Sequence, residues 1–113
     1  MSKAASKEKV LIVDDQPSVR FGLRSLLEGE GYRAFEAETG AQAIAAVTEN
    51  SPHLILLDLR LPDANGLELL PRIKAIDDDV PVIILTAHGT IETAIAALKE
   101  GAENFLTKPF DGD

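Results

Sequence analysis

The sequence lacks the features that mark an exported or membrane-spanning protein. None of its 113 residues is a cysteine, which excludes disulfides, a cysteine nucleophile and a zinc site with thiolate ligands. No apolar run approaches the roughly 18 residues of a membrane span. The start, Met1 to Lys9, has no apolar segment of the kind found in signal peptides. We therefore expect one cytoplasmic domain with no membrane association, preceded by a short flexible tail at residues 1–8.

Positive charge is also scarce. Eleven basic residues stand against nineteen acidic ones, which gives a net charge of −8, and the basic residues form no stripe along the sequence. A phosphate backbone would be repelled by such a surface, so we expect no direct nucleic-acid binding. Any action on DNA would require another domain.

Short apolar runs alternate with amphipathic segments along the chain. The runs are too short for helices and rich in branched residues, which predicts strands at Val10–Val13, Tyr32–Ala37, Leu54–Leu57, Val82–Leu85 and Asn104–Leu106. Several show no polar alternation, which is typical of a parallel sheet covered by helices on both faces. The order of elements predicts an open α/β sheet.

Four segments between these strands have helical patterns, at about residues 17–29, 40–50, 66–75 and 90–101. The first begins at a proline suited to the first helical position, and glycines follow its end. We expect the apolar stripe of the first helix to face the sheet; it consists of Val19, Leu23, Leu26 and Leu27. The fourth helix has a similar stripe, formed by Ile91, Ala94, Ile95 and Leu98.

Polar residues follow four of the predicted strands. Asp14 and Asp15 come after the first, Asp58 after the third, Thr86 after the fourth and Lys108 after the fifth. The carboxyl ends of parallel strands share one edge of a sheet, where ligands bind. The sequence therefore predicts one site with three carboxylates, a hydroxyl and an ammonium group.

These residue types suit phosphoryl chemistry on a carboxylate. Paired carboxylates favour a hard cation such as Mg²⁺. A third carboxylate can act as a nucleophile and form an acyl phosphate, while lysine and threonine contact phosphate oxygens. Each residue also has a purely structural interpretation: a helix N-terminus for the aspartate pair, a turn for Asp58, a surface position for Lys108. His53 and His88 are interpreted as structural, since no metal-ligand spacing surrounds them.

Four motifs in this order and spacing resemble a known family, the receiver domains of two-component response regulators. They are Val13-Asp14-Asp15, the run from Leu57 to Asp63 closing at Gly66, Leu85-Thr86-Ala87 and Lys108-Pro109-Phe110. The match spans roughly residues 9 to 110 and is most similar to receivers of the nitrogen-regulatory, sigma-54 activator type. The resemblance implies a flavodoxin-like (CheY-like) fold with strand order 2-1-3-4-5.

The resemblance also implies roles for individual residues. Asp58 would accept a phosphoryl group from a sensor histidine kinase. Mg²⁺ would bind Asp15 directly, Asp14 partly through water, Asp58 and the Arg60 backbone carbonyl. Thr86, Ala87 and Lys108 would contact the phosphate. Thr86 and Phe105 would form a switch pair that changes the face made by the fourth strand, fourth helix and fifth strand. The Lys108–Pro109 peptide would be cis.

The sequence departs from the family pattern in two places. Gln16 stands where many members have a third acid, which would trim local charge without abolishing metal binding. Members continue into a fifth helix, whereas only Pro109 to Asp113 follow the last strand here. We therefore expect residues 9–113 to be a receiver domain truncated before that helix, or a partner or second copy to cover the bare sheet face.

Two other functions are compatible with an aspartate-rich α/β domain. A phosphatase of the haloacid-dehalogenase type needs an acid two residues after its nucleophile, but position 60 is arginine. A receiver-like scaffold that works without phosphorylation would be indicated by loss of a key acid or the lysine, and none is lost. We expect no enzymatic activity beyond the domain's own phosphoryl transfer and autodephosphorylation. We expect its output domain or partner protein to lie outside this chain, and a homodimer is a further possible partner arrangement.

Overall fold

A computed structural model of the chain describes residues 8–86 and 91–107. Five strands alternate with four helices, in the order β1 (Lys9–Val13), α1 (Pro17–Gly29), β2 (Arg33–Ala37), α2 (Gly40–Asn50), β3 (Leu54–Asp58), α3 (Gly66–Ile76), β4 (Val82–Thr86), α4 (Ile91–Lys99) and β5 (Asn104–Thr107). The predicted elements are confirmed, with strand ends moved by one residue or less.

The strands form a single parallel sheet in the order β2-β1-β3-β4-β5. Val13 of β1 lies beside Leu57 of β3, and Asp58 lies beside Leu85 of β4. The carboxyl ends of the three central strands are therefore level. This confirms the expected CheY-like architecture and brings the residues after β1, β3 and β4 to one edge.

The larger core lies on the sheet face covered by α2, α3 and α4. It is formed by alternate strand residues such as Leu11, Ile55 and Ile84 together with Val47 of α2 and Ile73 of α3, all buried. A side chain of this size contributes about 1.5–3 kcal/mol when fully buried. This face supplies most of the apolar packing that supports the central strands.

The opposite face packs against α1. Val10, Ile12 and Leu56 are buried there beneath Leu23 and Leu27. Leu26 was expected in the same stripe, but it is 62% exposed. The apolar stripe of α1 is wider than the strip of sheet that it contacts, so its edge remains in solvent.

Beyond α1, the same face is incompletely covered at the β4–β5 side. Ile83 is partly exposed, and Leu106 is 43% exposed. Among the described helices, α1 is the one whose residues join the core on this face. Within the described residues, apolar side chains on this part of the face are therefore accessible to solvent.

The packing of α4 differs from the sequence expectation. Ala97 is fully buried, whereas Ile95 and Leu98 of the predicted stripe are 46% and 40% exposed. The side chains of Ile91 and Ala94 lie outside the described set. The inward side of α4 thus contributes the small residue Ala97 to the larger core, and the larger apolar residues Ile95 and Leu98 lie on its outer surface.

The end of α1 explains a second difference. Tyr32 was predicted in β2, but its backbone N–H donates to the Leu27 carbonyl at 3.0 Å, and β2 begins one residue later. Gly31 lies between them with φ of 97°, a left-handed conformation that glycine adopts without strain.

In the described part of the chain, no helix is long and apolar enough to span a bilayer.

Candidate functional site

Three carboxylates meet at the carboxyl edge of the sheet. Asp14 and Asp58 are buried, at 0% and 4% exposure, and Asp15 is exposed. One oxygen of each carboxylate lies within 4.8 Å of the others. The level ends of β1 and β3 cause this convergence. Like charges at this spacing repel one another, so the cluster is suited to a bound cation.

The donor set fits Mg²⁺. All three side chains offer hard oxygen atoms, and two of them are withdrawn from solvent while the third faces it. Mg²⁺ prefers carboxylate oxygens and retains several waters, which the exposed side at Asp15 would admit. Asp77, Asp78 and Asp79 form another acidic group, but all three are exposed, and exposed acidic groups are common without a metal.

Backbone hydrogen bonds fix the end of β1. The Asp14 N–H donates to the Ala37 carbonyl of β2 at 3.0 Å, and the Gln16 N–H donates to Asp14 Oδ1 at 2.9 Å. This hydrogen bond is donated by the backbone of Gln16, so glutamine in place of an acid leaves it unchanged.

An arginine network ties α1 to the same strand end. The Arg20 guanidinium donates to the Asp14 carbonyl at 2.7 Å and to Glu36 Oε1 at 2.9 Å. Arg24 donates to Glu36 Oε2 at 2.8 Å and to Glu28 at 3.1 Å. Hydrogen bonds from Arg24 and then Arg20 lower the pKa of Glu36, although partial burial opposes the shift. The network holds the β1–α1 junction against β2.

The loop after β3 approaches Asp58 closely. The Arg60 N–H donates to Asp58 Oδ1 over a long 3.4 Å, and the Leu59 N–H donates to the Leu85 carbonyl at 3.2 Å. A Cβ at Gly66 would lie 2.8 Å from the Asp58 carbonyl oxygen. Glycine at this position therefore allows α3 to begin directly against the strand that carries Asp58.

Thr86 and Phe105 lie on neighbouring strands. Thr86 is buried at the end of β4, and Phe105 of β5 pairs with Ile84, two residues before Thr86. Phe105 is partly buried against the larger core, on the same face as Ile84. Since alternate residues of a strand share a face, Thr86 and Phe105 both lie on the side of α2–α4.

Four of the residues singled out in the sequence lie outside the described residues: Ala87, His88, Lys108 and Pro109. His53 lies at the opposite edge of the sheet, where its Nδ1 accepts the Lys9 N–H at 2.9 Å. That bond joins the starts of β1 and β3, which supports its structural interpretation.

Sequence reasoning missed Arg20 and Asp63. Arg20 had a weak signal, a cation in the first turn of the helix that follows an acidic pair. Asp63 accepts hydrogen bonds from the Gly40 and Ala41 amides at 2.7 and 3.1 Å, over 23 and 22 residues of chain. A contact of that range has no signature in local spacing.

Comparison with known proteins agrees with this geometry. The sequence profile of the response regulator receiver domain matches residues 10–113. The chain belongs to the response regulator receiver family. As a receiver domain it is 43% identical over 106 residues to sporulation initiation phosphotransferase F of Bacillus subtilis, covering 94% of this chain and 86% of that protein.

Regulators of the nitrogen type are also among its relatives. The receiver domain is 44% identical over 106 residues to the nitrogen assimilation regulatory protein NtrX of Azorhizobium caulinodans, covering 92% of this chain but 23% of that protein. A solution structure of the beryllofluoride-activated NtrC4 receiver domain dimer matches with a TM-score of 0.86 and 40% identity, covering 91% of this chain and 85% of that one.

These matches establish the general setting of the domain. Receiver domains bind Mg²⁺ in their acidic pocket, interact with histidine kinases and are generally not enzymes. The domain spans nearly all of one relative and about a quarter of the other. Similar receivers thus occur both in a protein of about this size and in a much longer regulatory protein.

Proposed function

We propose that this receiver domain accepts a phosphoryl group on Asp58 from the phosphohistidine of a sensor histidine kinase. The observation that carries the proposal is the convergence of Asp14, Asp15 and Asp58, with carboxylate oxygens within 4.8 Å, at the carboxyl edge of the sheet. A carboxylate is ionised at neutral pH and needs no separate base to act as a nucleophile.

In the proposed transfer, an Asp58 oxygen forms a bond to phosphorus as the phosphorus–nitrogen bond to the kinase histidine breaks. The electron pair of that bond remains on the imidazole, which takes up a proton. Bound Mg²⁺ would offset the charge on the phosphoryl oxygens. Asp14, Asp15, Asp58 and the Arg60 carbonyl would hold the metal, and the Thr86 hydroxyl would donate to a phosphoryl oxygen. We assign Ala87 and Lys108 to the phosphate by resemblance.

We propose that phosphorylation changes the face formed by β4, α4 and β5. Thr86 moving toward the phosphate would leave space on the side where Phe105 already packs. Such a change shifts the populations of two arrangements. Ile95 and Leu98 are exposed on α4, and a homodimer, an output domain or a partner protein would contact this face. We propose a cytoplasmic location for the domain.

Intact mass after incubation with a small-molecule phosphodonor tests the proposal. We expect a single phosphoryl-sized increase that requires Mg²⁺ and is removed by hydroxylamine, as for an acyl phosphate. Asp58→Ala should abolish the increase, while Asp78→Ala, which removes an exposed acid elsewhere, should retain it. No adduct on the wild-type protein would favour a scaffold that works without phosphorylation. An adduct persisting in Asp58→Ala would place the acceptor at another residue.

A further inference from the structure

The loop between β3 and α3 is a closed turn. Arg60 and Asn65 form an antiparallel bridge across it, and the Leu61 N–H donates to the Ala64 carbonyl at 3.1 Å. At its base, the Gly66 N–H donates to the Leu59 carbonyl at 2.8 Å. These bonds hold the turn closed, with Arg60 on one side and Asp63 at its tip.

The tip of this turn is attached to a different helix. Asp63 Oδ1 accepts the Gly40 N–H at 2.7 Å, and Oδ2 accepts the Ala41 N–H at 3.1 Å. These two amides belong to the first turn of α2, whose own N-cap, Thr39, accepts the Gln42 N–H at 3.1 Å. The bonds from Gly40 and then Ala41 lower the pKa of Asp63, which keeps the carboxylate charged.

Packing at the same point leaves little room for movement. A Cβ at Gly40 would lie 3.0 Å from the Ala64 Cβ and 3.2 Å from Asp63 Oδ1. Glycine at position 40 thus allows the turn to approach the helix closely enough for both hydrogen bonds. The attachment depends on a matched pair of residues, the acid on the loop and the glycine on α2.

We propose that Asp63 is a positioning residue for the metal site, which it serves by anchoring the β3–α3 turn to α2 and so fixing the Arg60 backbone beside Asp58. The proposal rests on the proposed function, in which the Arg60 carbonyl binds Mg²⁺. A backbone ligand has no side-chain rotamers with which to adjust, so its distance from the metal depends on the placement of the whole turn. Asp63 sets that placement from outside the site.

The competing interpretation is that Asp63 only stabilises the start of α2. Thr39→Ala separates the two roles, because it removes a capping bond from the same helix without touching the turn. Gly40→Ala has the complementary effect: its Cβ pushes the turn away from α2, while alanine improves the intrinsic helix propensity of α2. A positioning role predicts that metal affinity follows the turn and not the stability of the helix.

The test measures Mg²⁺ affinity by calorimetric titration and stability by urea denaturation for each variant. We expect Asp63→Ala to weaken Mg²⁺ binding about tenfold, the lower end of the effect typical for removing an outer-shell partner. Gly40→Ala should act in the same direction. Asp63→Asn retains one acceptor oxygen for Gly40 and should give an intermediate affinity. Thr39→Ala should lose stability with its Mg²⁺ affinity unchanged.

Phosphorylation by a small phosphodonor supplies a second readout. Asp63→Ala should form the acyl phosphate slowly at low Mg²⁺ and recover at saturating Mg²⁺, since the groups that react are intact. Wild-type Mg²⁺ affinity in Asp63→Ala and Gly40→Ala would overturn the positioning role and leave the proposed function standing. A wild-type protein that neither binds Mg²⁺ nor forms the adduct would overturn both.

Discussion

Two glycine-to-alanine substitutions should change stability in opposite directions. A Cβ at Gly66 would lie 2.8 Å from the Asp58 carbonyl oxygen and 2.9 Å from the Leu59 Cα, whereas a Cβ at Gly22 would meet nothing within 4 Å. Both glycines lie in helices, α3 and α1, and neither has a positive φ. Helix propensity therefore favours alanine at both positions, and sterics distinguish them.

The expected magnitudes follow from these distances. The atoms that crowd position 66 are backbone, so they cannot rotate away, and overpacking of this kind costs about 1–3 kcal/mol. Subtracting the helix propensity that alanine recovers, up to about 1 kcal/mol, from the middle of that range, about 2 kcal/mol, leaves Gly66→Ala destabilised by about 1–2 kcal/mol. Gly22→Ala should gain about 0.5–1 kcal/mol.

Urea denaturation followed by far-UV circular dichroism measures both effects. With an m-value of about 1–3 kcal/mol/M, the midpoint of Gly66→Ala should fall by roughly 0.3–2 M, and that of Gly22→Ala should rise. Because α3 would be pushed from the strand that carries Asp58, Gly66→Ala should also slow phosphorylation. A midpoint for Gly66→Ala at or above wild type would refute the steric reasoning.

Two further perturbations test the charged network and the uncovered sheet face. Glu36 forms ion pairs with Arg24 and Arg20, which lower its pKa; Arg24 also pairs with Glu28, and Arg20 with Glu38. The pairs of Glu36 therefore stabilise the fold above the ordinary carboxyl pKa of about 4.3. This stabilisation is lost as pH falls through the lowered pKa of Glu36. Glu36→Gln should therefore cost about 0.2–1 kcal/mol per pair at pH 7, and its stability should converge with that of wild type in acid; a constant difference across the titration would contradict this assignment. On the sheet face, Leu106 is 43% exposed, so a dye that binds apolar surface should fluoresce with the wild-type protein and less with Leu106→Ser, at a stability change within about 0.5 kcal/mol. Absence of dye fluorescence from dilute wild-type monomer would mean that the apolar strip is already covered.

The strands and helices were predictable because their signals are local. Unbroken apolar runs located the strands, and Pro17 and Gly31 marked the start and end of α1 and its turn. Position at strand ends also located the acidic residues, since the geometry of parallel sheets converts order along the chain into proximity. Those inferences needed no tertiary detail.

The remaining features depend on how the elements pack. The stripe on α4 contained several apolar residues, and only the tertiary packing of the helix selects Ala97 for burial over Ile95 and Leu98. Asp63 resembled an ordinary turn residue, because its partners on α2 lie more than twenty positions earlier. Arg20 resembled a surface cation until β2 brought Glu36 beside it. Each depends on distances that sequence periodicity does not contain.

The strand order has a consequence for the newly made chain. β1, which leads directly into Asp14 and Asp15, is made first, yet its neighbour β3, with Asp58, follows only after α1, β2 and α2. No stretch of chain that stops before Asp58 contains the acidic cluster. Domains generally fold as units during synthesis, so a ribosome-bound fragment that ends in α2 would display two aspartates without the third. A chain whose synthesis has stopped before Asp58 would then lack the proposed phosphoacceptor.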